Sequence, residues 1–340
     1  TFGKPDSNDN GLDPNLRVKG DSDGGVWLSG TYDGTLQIGD ETLDANGSDS
    51  TFLARFNQEF EPTYLNSFPN LSISTLSPDP DGRLGIAGTF TGQITLGGST
   101  LDANGSTDGF IARIASTGNL SWARSLGGEA NETAESVTID AQGRLWISGD
   151  SDSSNFSTGS HTLDLSGNAG GYLALYDADG NDLWAIDPIG NLSVTDDASG
   201  AWFLDANASD PLVKFVDDNG SIQSVFRIAG GTVSDLIASS DGNAIVSLVS
   251  DTGSISVNGE TLFSASPSQS ALFKFKTNGS VAWTLPLAMG NSELLDLARG
   301  SDDFVWVLGS VSGAEGQSLA YDQSSLTLGS NDGILLKVDP

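Results

Sequence analysis

The sequence predicts an all-β fold made of six similar units, and three observations lead to this prediction. A short apolar strand ending in glycine recurs along the chain, a second apolar strand carrying a basic residue recurs with it, and glycine-rich turns separate the two. The spacing is nearly constant, since Arg55 and Arg113 lie 58 residues apart and Lys214 and Lys274 lie 60 apart. Such self-similarity indicates units that cannot bury their apolar faces alone.

The clearest copy of the unit spans residues 81–128. It has predicted strands at 84–87, 110–114 and 120–126, and Gly97-Gly98 is a hairpin turn because both glycines accept positive φ angles. The second apolar strand recurs as FLARF, FIARI, YLALY, LVKF, LFKF and ILLKV from residues 52, 110, 172, 212, 272 and 334. Its basic positions are Arg55, Arg113, Lys214, Lys274 and Lys337, and Leu175 is the exception.

Six units of this size account for nearly all 340 residues. A closed ring of four-stranded blades, a β-propeller, stacks such units radially and leaves only short strand edges exposed. An open β-solenoid usually has a much shorter rung. We therefore expect one domain, residues 1–340: a single six-bladed β-propeller in which most blades carry an extra hairpin. The approximate units are 16–68, 71–128, 135–190, 191–231, 232–290 and 291–340.

Two units are expected to depart from the plan. The sequence ends after the third strand of the sixth unit, so the N-terminal segment 1–4 is predicted to supply the missing fourth strand and close the ring. In the fourth unit, residues 205–210 replace the segment that forms the hairpin elsewhere, so that hairpin is predicted to be absent.

The charge balance restricts the partners. The chain has 14 Lys and Arg against 45 Asp and Glu, a net charge of −31, which excludes recognition of a nucleic-acid backbone because that requires clustered cations. It has no cysteine for disulfides or thiolate metal sites, and its apolar stretches are too short to insert into a membrane. A first residue of Thr rather than Met favours a processed chain or a piece of a larger multidomain protein.

The segment 108–149, DGFIARIASTGNLSWARSLGGEANETAESVTIDAQGRLWISG, resembles the SBBP bacterial β-propeller repeat. The resemblance implies a secreted or cell-surface bacterial protein and brings no shared catalytic site. Departures from the repeat are Leu175 at the basic position and the lack of a strand-initial Asp in units one, three, four and five. The segment 174–184, ALYDADGNDLW, also looks like a repeat of PQQ-type propellers, some of which bind quinone cofactors.

The function expected from these features is binding or scaffolding without catalysis. In a four-stranded blade the second-to-third connection and the link to the next blade open on one face, so the DANGS-type inserts and acidic links such as 128–135 form the predicted surface for a glycan or protein ligand. The alternative is a hydrolase or quinone-dependent oxidoreductase with its site at the central channel. His161, the single histidine, occupies a position that holds ordinary surface residues in other units, which favours a solvated side chain over a general base.

Calcium is the one cofactor that the sequence suggests. Asp6, Asn8, Asn10 and Gly11 match the first half of a calcium loop, in which alternate oxygens wrap a hard cation. Arg17 stands where the bidentate Glu of an EF-hand belongs, so Asp13 would have to replace it in a shorter loop. The alternative is an acidic surface loop. The segment 102–108 has the same alternation, but a turn leading into the third strand explains it better.

Overall fold

The structure, a computed structural model, consists of strands and turns. It describes residues 2–3, 16–45, 50–165, 170–187, 192–194, 199–205, 210–250, 253–264, 269–287, 291–300, 304–312, 316, 318–321, 324–327 and 329–339. These residues contain no helix, and therefore none that crosses a membrane. The all-β prediction is confirmed for this part of the chain. The molecule divides into two compact units, Thr1–Pro188 and Ile189–Pro340.

The first compact unit contains three antiparallel four-stranded sheets. Its strands are β1 Phe2–Gly3, β2 Arg17–Gly20, β3 Val26–Tyr32, β4 Thr35–Ile38, β5 Glu41–Asp44, β6 Ser50–Phe56, β7 Pro62–Pro69, β8 Leu71–Pro78, β9 Leu84–Phe90, β10 Gln93–Leu96, β11 Ser99–Asp102, β12 Asp108–Ile114, β13 Leu120–Leu126, β14 Ser136–Ile139, β15 Leu145–Ser151, β16 Asn155–Ser157, β17 Thr162–Asp164, β18 Gly170–Tyr176 and β19 Asp182–Ile186. The sheets have the orders β2-β3-β6-β7, β8-β9-β12-β13 and β14-β15-β18-β19. The hairpins β4–β5, β10–β11 and β16–β17 each interrupt the connection between the second and third strands.

The glycine near the end of the second strand has a steric cause. A Cβ on Gly88 would lie 1.9 Å from the carbonyl oxygen of Ser72, and one on Gly149 would lie 2.0 Å from that of Thr133. In both sheets the first strand, or the link that leads into it, approaches too closely for any side chain. The recurring glycine is therefore a packing requirement of the repeat.

The second compact unit repeats the plan with variations. Its strands are β20 Leu192–Val194, β21 Gly200–Asp205, β22 Leu212–Asp217, β23 Ile222–Ala229, β24 Gly231–Ala238, β25 Ala244–Ser250, β26 Ser254–Val257, β27 Glu260–Ser264, β28 Ser270–Phe275, β29 Val281–Leu287, β30 Asn291–Arg299, β31 Val305–Ser312, β32 Ser318–Tyr321, β33 Ser324–Thr327 and β34 Asn331–Val338. They form a six-stranded sheet β20-β21-β22-β23-β26-β27, a four-stranded sheet β24-β25-β28-β29, a three-stranded sheet β30-β31-β34 and the hairpin β32–β33.

Among the described residues of the fourth repeat, no extra hairpin follows the second strand, as predicted. Asp205 at the end of β21 pairs directly with Leu212 at the start of β22. The sequence did not predict that the hairpin of the fifth repeat extends this sheet. Ile228 and Ala229 of β23 pair with Val257 and Ser256 of β26.

The N-terminal strand pairs with the first hairpin of its own compact unit. Phe2 pairs with Ile38 and Gly3 with Gln37. Ile38, like Val257 in the fifth repeat, ends the first hairpin strand just before the turn. Phe2–Gly3 thus occupies the place on β4 that the end of a fourth strand, β23, occupies on β26. Pairing of this segment with the sixth repeat stays a prediction.

The core of each compact unit lies between neighbouring sheets. Trp27 and Leu53 of the first sheet pack with Ile86 and Phe110 of the second, and a separate cluster joins the second and third sheets. In the second compact unit, Trp202 and Phe226 pack with Phe273 and Phe275. Burying such aromatic side chains contributes roughly 1.5–3 kcal/mol each. These layers hold the strand ends, and therefore the loops, in fixed positions.

Candidate functional site

The part of the predicted binding surface that the structure describes most completely lies at one end of the second and third sheets. Because strands alternate in direction, the second-to-third connection and the link to the next sheet leave a four-stranded sheet at the same end. We call the segments 102–108, 127–135 and 150–155 the loop-rich end. Three polar anchors fix it.

Asp108, the first residue of β12, is the first anchor and is fully buried. Its Oδ2 accepts the backbone N–H of Asn104 at 3.0 Å, and its Oδ1 accepts that of Gly105 at 3.0 Å. Gly127 packs directly against it, since a Cβ there would lie 2.1 Å from Oδ2. Burial raises the pKa of Asp108, and the charge of Glu132 adds to the shift. The DANGS segment is thus a turn closed by its own aspartate, as the turn interpretation predicted.

Glu132 is the second anchor and is also fully buried. Its Oε2 accepts the N–H of Gly128 at 2.8 Å, and its Oε1 accepts the hydroxyl of Ser151 at 3.0 Å. Its own N–H donates to the carbonyl of Thr107 at 2.9 Å. This one residue therefore ties the link between the sheets to both the second and the third repeat.

Ser153 is the third anchor, because its Oγ accepts the N–H of Ala130 at 2.8 Å. Close by, Ser106 donates its hydroxyl to the side-chain carbonyl of Asn131 at 2.8 Å. The loop-rich end is therefore held by hydrogen bonds at several points, and its shape exists before a ligand arrives.

The exposed side chains of the loop-rich end are acidic or polar. Asp102, Glu129, Asp150 and Asp152 are all exposed. Among the residues that the structure describes, the exposed large aromatic side chains are Phe60 and Trp306, and neither belongs to this surface. The described part of the surface thus offers carboxylates and amides rather than a flat ring on which a sugar stacks.

Ser160, His161 and Asp182 contact one another, but their geometry differs from that of a nucleophile and base. Nδ1 of His161 is 2.9 Å from Oδ2 of Asp182 and 3.3 Å from Oγ of Ser160, so both partners share one ring nitrogen. A catalytic relay places the acid and the hydroxyl on opposite nitrogens. Moreover, Ser160 donates its hydroxyl to Oδ1 of Asp182 at 2.7 Å. The cluster ties the hairpin β16–β17 to β19.

The predicted calcium ligands Asp6, Asn8, Asn10 and Asp13 lie outside the described residues. Within the described part of the chain, no three His, Cys, Asp or Glu side chains lie close enough together to hold a metal ion. Calcium binding stays a prediction.

The recurring basic residue has a partner that the sequence pattern did not reveal. Arg55 donates from Nε to Asp21 at 2.7 Å and from Nη2 to Asp23 at 3.0 Å, in the turn between the first two strands of its own sheet. In the fifth repeat, Lys274 lies 2.6 Å from Asp241 in the matching turn. These pairs lie at the other end of the sheets, which we call the turn end. Their role is to tie the third strand of a repeat to the turn between its first two strands.

Comparison with known families gives one match. Residues 91–120 match a domain of unknown function described as DUF5122 beta-propeller. The matched segment covers the hairpin β10–β11, the strand β12 and the following turn. Taken with the repeated antiparallel four-stranded sheets, it decides the architecture. The fold is a β-propeller.

Solved structures, two of them described as propellers, are similar to this chain at low identity. The Dos1 propeller is 12% identical, with 85% of this chain and 84% of that chain covered and a TM-score of 0.45. The propeller domain of the Trilobed protease from Pyrococcus furiosus is 8% identical, with 92% and 95% covered and a TM-score of 0.39. Regucalcin from Agrobacterium tumefaciens, a calcium-binding protein, is 12% identical, with 86% and 80% covered and a TM-score of 0.39. Comparison with curated proteins gives no match.

Proposed function

We propose that this β-propeller is a non-catalytic binding or scaffolding module of a secreted or cell-surface bacterial protein, and that it recognises a glycan or another protein through its loop-rich end. The observation that supports this best is the anchoring by Asp108, Glu132 and Ser153, which holds an acidic, hydrogen-bonding surface in one shape. A preformed surface loses little conformational entropy when it binds. The resemblance to SBBP repeats supports the same proposal.

A comparison of two charge-matched variants tests this function. Asp150→Asn with Asp152→Asn removes two exposed carboxylates from the loop-rich end, and Asp81→Asn with Asp179→Asn removes two from the turn end. On a glycan array and a panel of bacterial surface proteins, we expect the first variant to lose the signal of the native chain and the second to keep it. Equal signals from both variants would contradict the assignment of the surface.

The enzymatic alternative is a hydrolase or a quinone-dependent oxidoreductase. It is tested by assaying the chain against chromogenic esters and glycosides, and against alcohols with added quinone and a dye acceptor. We expect no turnover above a heat-inactivated control. Turnover that survives further purification would replace the binding proposal.

We propose that the six repeats form the blades of a single domain, residues 1–340, and that residues 1–4 complete the last blade. The support is the pairing of Phe2–Gly3 with β4, which copies the pairing of a fourth strand with the next hairpin. Because the chain lacks cysteine, spin labels on introduced cysteines at Gly3 and Gly333 report one distance. A short, narrow distance distribution is expected, and a long or broad one would argue against closure.

The calcium proposal rests on Asp6, Asn8, Asn10 and Asp13. A calcium titration followed by calorimetry should show heat that disappears in the variant Asp6→Asn with Asp13→Asn. The absence of heat and of any change in melting temperature for the native chain would reject this site.

A further inference from the structure

The turns between the third and fourth strands share one hydrogen-bond pattern in five repeats. In each, the first residue donates its N–H to the carbonyl four positions later and accepts the N–H three positions later. The turns begin at Asn57, Ala115, Asp177, Asp217 and Lys276. Their fourth residues have φ angles of 59° at Phe60, 85° at Gly118, 82° at Gly180, 81° at Gly220 and 87° at Gly279. Only the first repeat of this set has a side chain at the left-handed position.

Phe60 has no evident role in the fold that would explain this exception. The left-handed region disfavours residues with a Cβ, whereas glycine enters it freely. The ring is 78% exposed, so it gains little from burial that would offset the strain. A strained residue that persists with an exposed aromatic ring is a marker of function rather than of stability.

Hydrogen bonds hold the backbone of the turn that carries this ring. Oδ1 of Asn57 accepts the N–H of Glu59 at 3.1 Å and that of Glu61 at 2.8 Å. Gln58 donates from Nε2 to the carbonyl of Asp23 at 2.5 Å, which fastens the turn to the neighbouring one. The ring therefore projects from a rigid support.

Phe60 lies between two carboxylates in the sequence. Glu59 and Glu61 are both exposed, and Oε2 of Glu61 accepts the side-chain N–H of Asn57 at 3.0 Å. The chain as a whole carries a net charge of −31. A negative flank repels nucleic acid and anionic lipid. It attracts a guanidinium or ammonium group, which can also stack on the face of an aromatic ring.

We propose that Phe60, with Glu59 and Glu61, forms a contact site for a cationic segment of a partner protein. An Arg or Lys of the partner stacks on the ring and pairs with the flanking carboxylates. The site lies at the turn end of the first sheet, whereas the function proposed above uses the loop-rich end. The two proposals can therefore fail independently.

The test measures the binding of fluorescein-labelled hexa-arginine to the full chain by anisotropy at 0.15 M salt. Phe60→Gly keeps the charge and suits the backbone, so it will fold, and we expect it to weaken binding about two- to five-fold. Phe60→Leu keeps an apolar side chain without the aromatic ring and should weaken binding to a similar extent. The control Ile222→Thr removes exposed apolar surface elsewhere and should leave the affinity unchanged.

The proposal is overturned if Phe60→Gly binds hexa-arginine as tightly as the native chain does. If that variant also loses affinity for the neutral sugar maltohexaose, the ring belongs to a glycan site instead. An additional loss of peptide affinity in Glu59→Gln with Glu61→Gln would support the pairing with carboxylates.

Discussion

Replacing Asp182 by Asn is expected to destabilise the first compact unit strongly at neutral pH. The carboxylate is only 7% exposed and accepts hydrogen bonds from the hydroxyls of Thr158 and Ser160, the N–H groups of Ser160 and His161, and Nδ1 of His161. Burial alone would raise the pKa of Asp182, but these hydrogen bonds outweigh it and hold the pKa well below its usual range. The charged form is therefore the one that the fold stabilises.

The expected loss of stability follows from the number of hydrogen bonds that the Asp182 carboxylate accepts. A hydrogen bond to a charged group contributes about 1.5–3 kcal/mol, against about 1 kcal/mol for a neutral one. Neutralising the acceptor of several such bonds costs about 2–3 kcal/mol in total, because the effects of neighbouring bonds do not add fully. In a unit of this size, this corresponds to a fall in melting temperature of about 5–10 °C.

The pH dependence makes the prediction specific. A carboxyl group whose pKa is depressed by folding contributes stability above its unfolded pKa, about 3.9, and loses it as the pH falls toward the folded pKa. Calorimetry from pH 7 to pH 3 should therefore show that the difference in melting temperature between the native chain and Asp182→Asn becomes smaller in acid. Asp152→Asn, an exposed carboxylate in the same compact unit, should change the melting temperature little. A gap that is constant with pH, or no larger than that of Asp152→Asn, would refute the reasoning.

Two further predictions concern packing and burial. Gly180→Ala places a Cβ 2.5 Å from the Trp122 ring at φ 82° and should lower the free energy of unfolding by at least about 2 kcal/mol. The matched control Gly279→Ala, at φ 87° with nothing within 4 Å, should lower it by only about 1 kcal/mol, because it brings backbone strain alone. Urea denaturation curves that agree for both variants would contradict this. Burial raises the pKa of Asp108, so its contribution to stability declines as the pH rises through and above the unfolded value. The stability of Asp108→Asn relative to the native chain should thus improve from pH 4 to pH 7, and a relative decline over that range would count against it.

Local signals predicted much of the secondary structure. The strand expected at 120–126 is observed as Leu120–Leu126, and those expected at 84–87 and 110–114 lie inside Leu84–Phe90 and Asp108–Ile114. The glycine turn forms as expected, with φ angles of 51° at Gly97 and 93° at Gly98. These features follow from neighbouring residues, since apolar runs and turn residues act over a few positions.

The contacts that form the loop-rich end were beyond prediction, because they join segments that are distant in the sequence. Glu132 lies in an acidic link that the sequence marks only as exposed and charged, yet its side chain is fully buried against Ser151. Asp108 differs from the aligned residues Ser50 of the first repeat and Gly170 of the third, and this difference was a weak indication of a special role. Phe60 gave a clearer indication, because the aligned turns have glycine at that position.

The one exception in the basic register shows how a repeat replaces a lost interaction. In the first sheet, Trp27 pairs across the strands with Arg55, and Nε of Arg55 donates to Asp21 in the turn. In the third sheet Leu175 stands opposite Trp146, and no cation reaches the turn from that strand. There the indole Nε1 of Trp146 itself donates to Oδ2 of Asp140 at 2.9 Å.

Arg144 adds a charged donor, since its Nε donates to the same oxygen of Asp140 at 2.8 Å, as Nε of Arg83 donates to Asp79 in the second repeat. The carboxylate in this turn therefore keeps charged and neutral donors although the usual base is absent. In the first three repeats this turn keeps a carboxylate that accepts hydrogen bonds, and the residues that donate to it change. A sequence pattern records the usual donor, and only the positions of the side chains reveal the substitute.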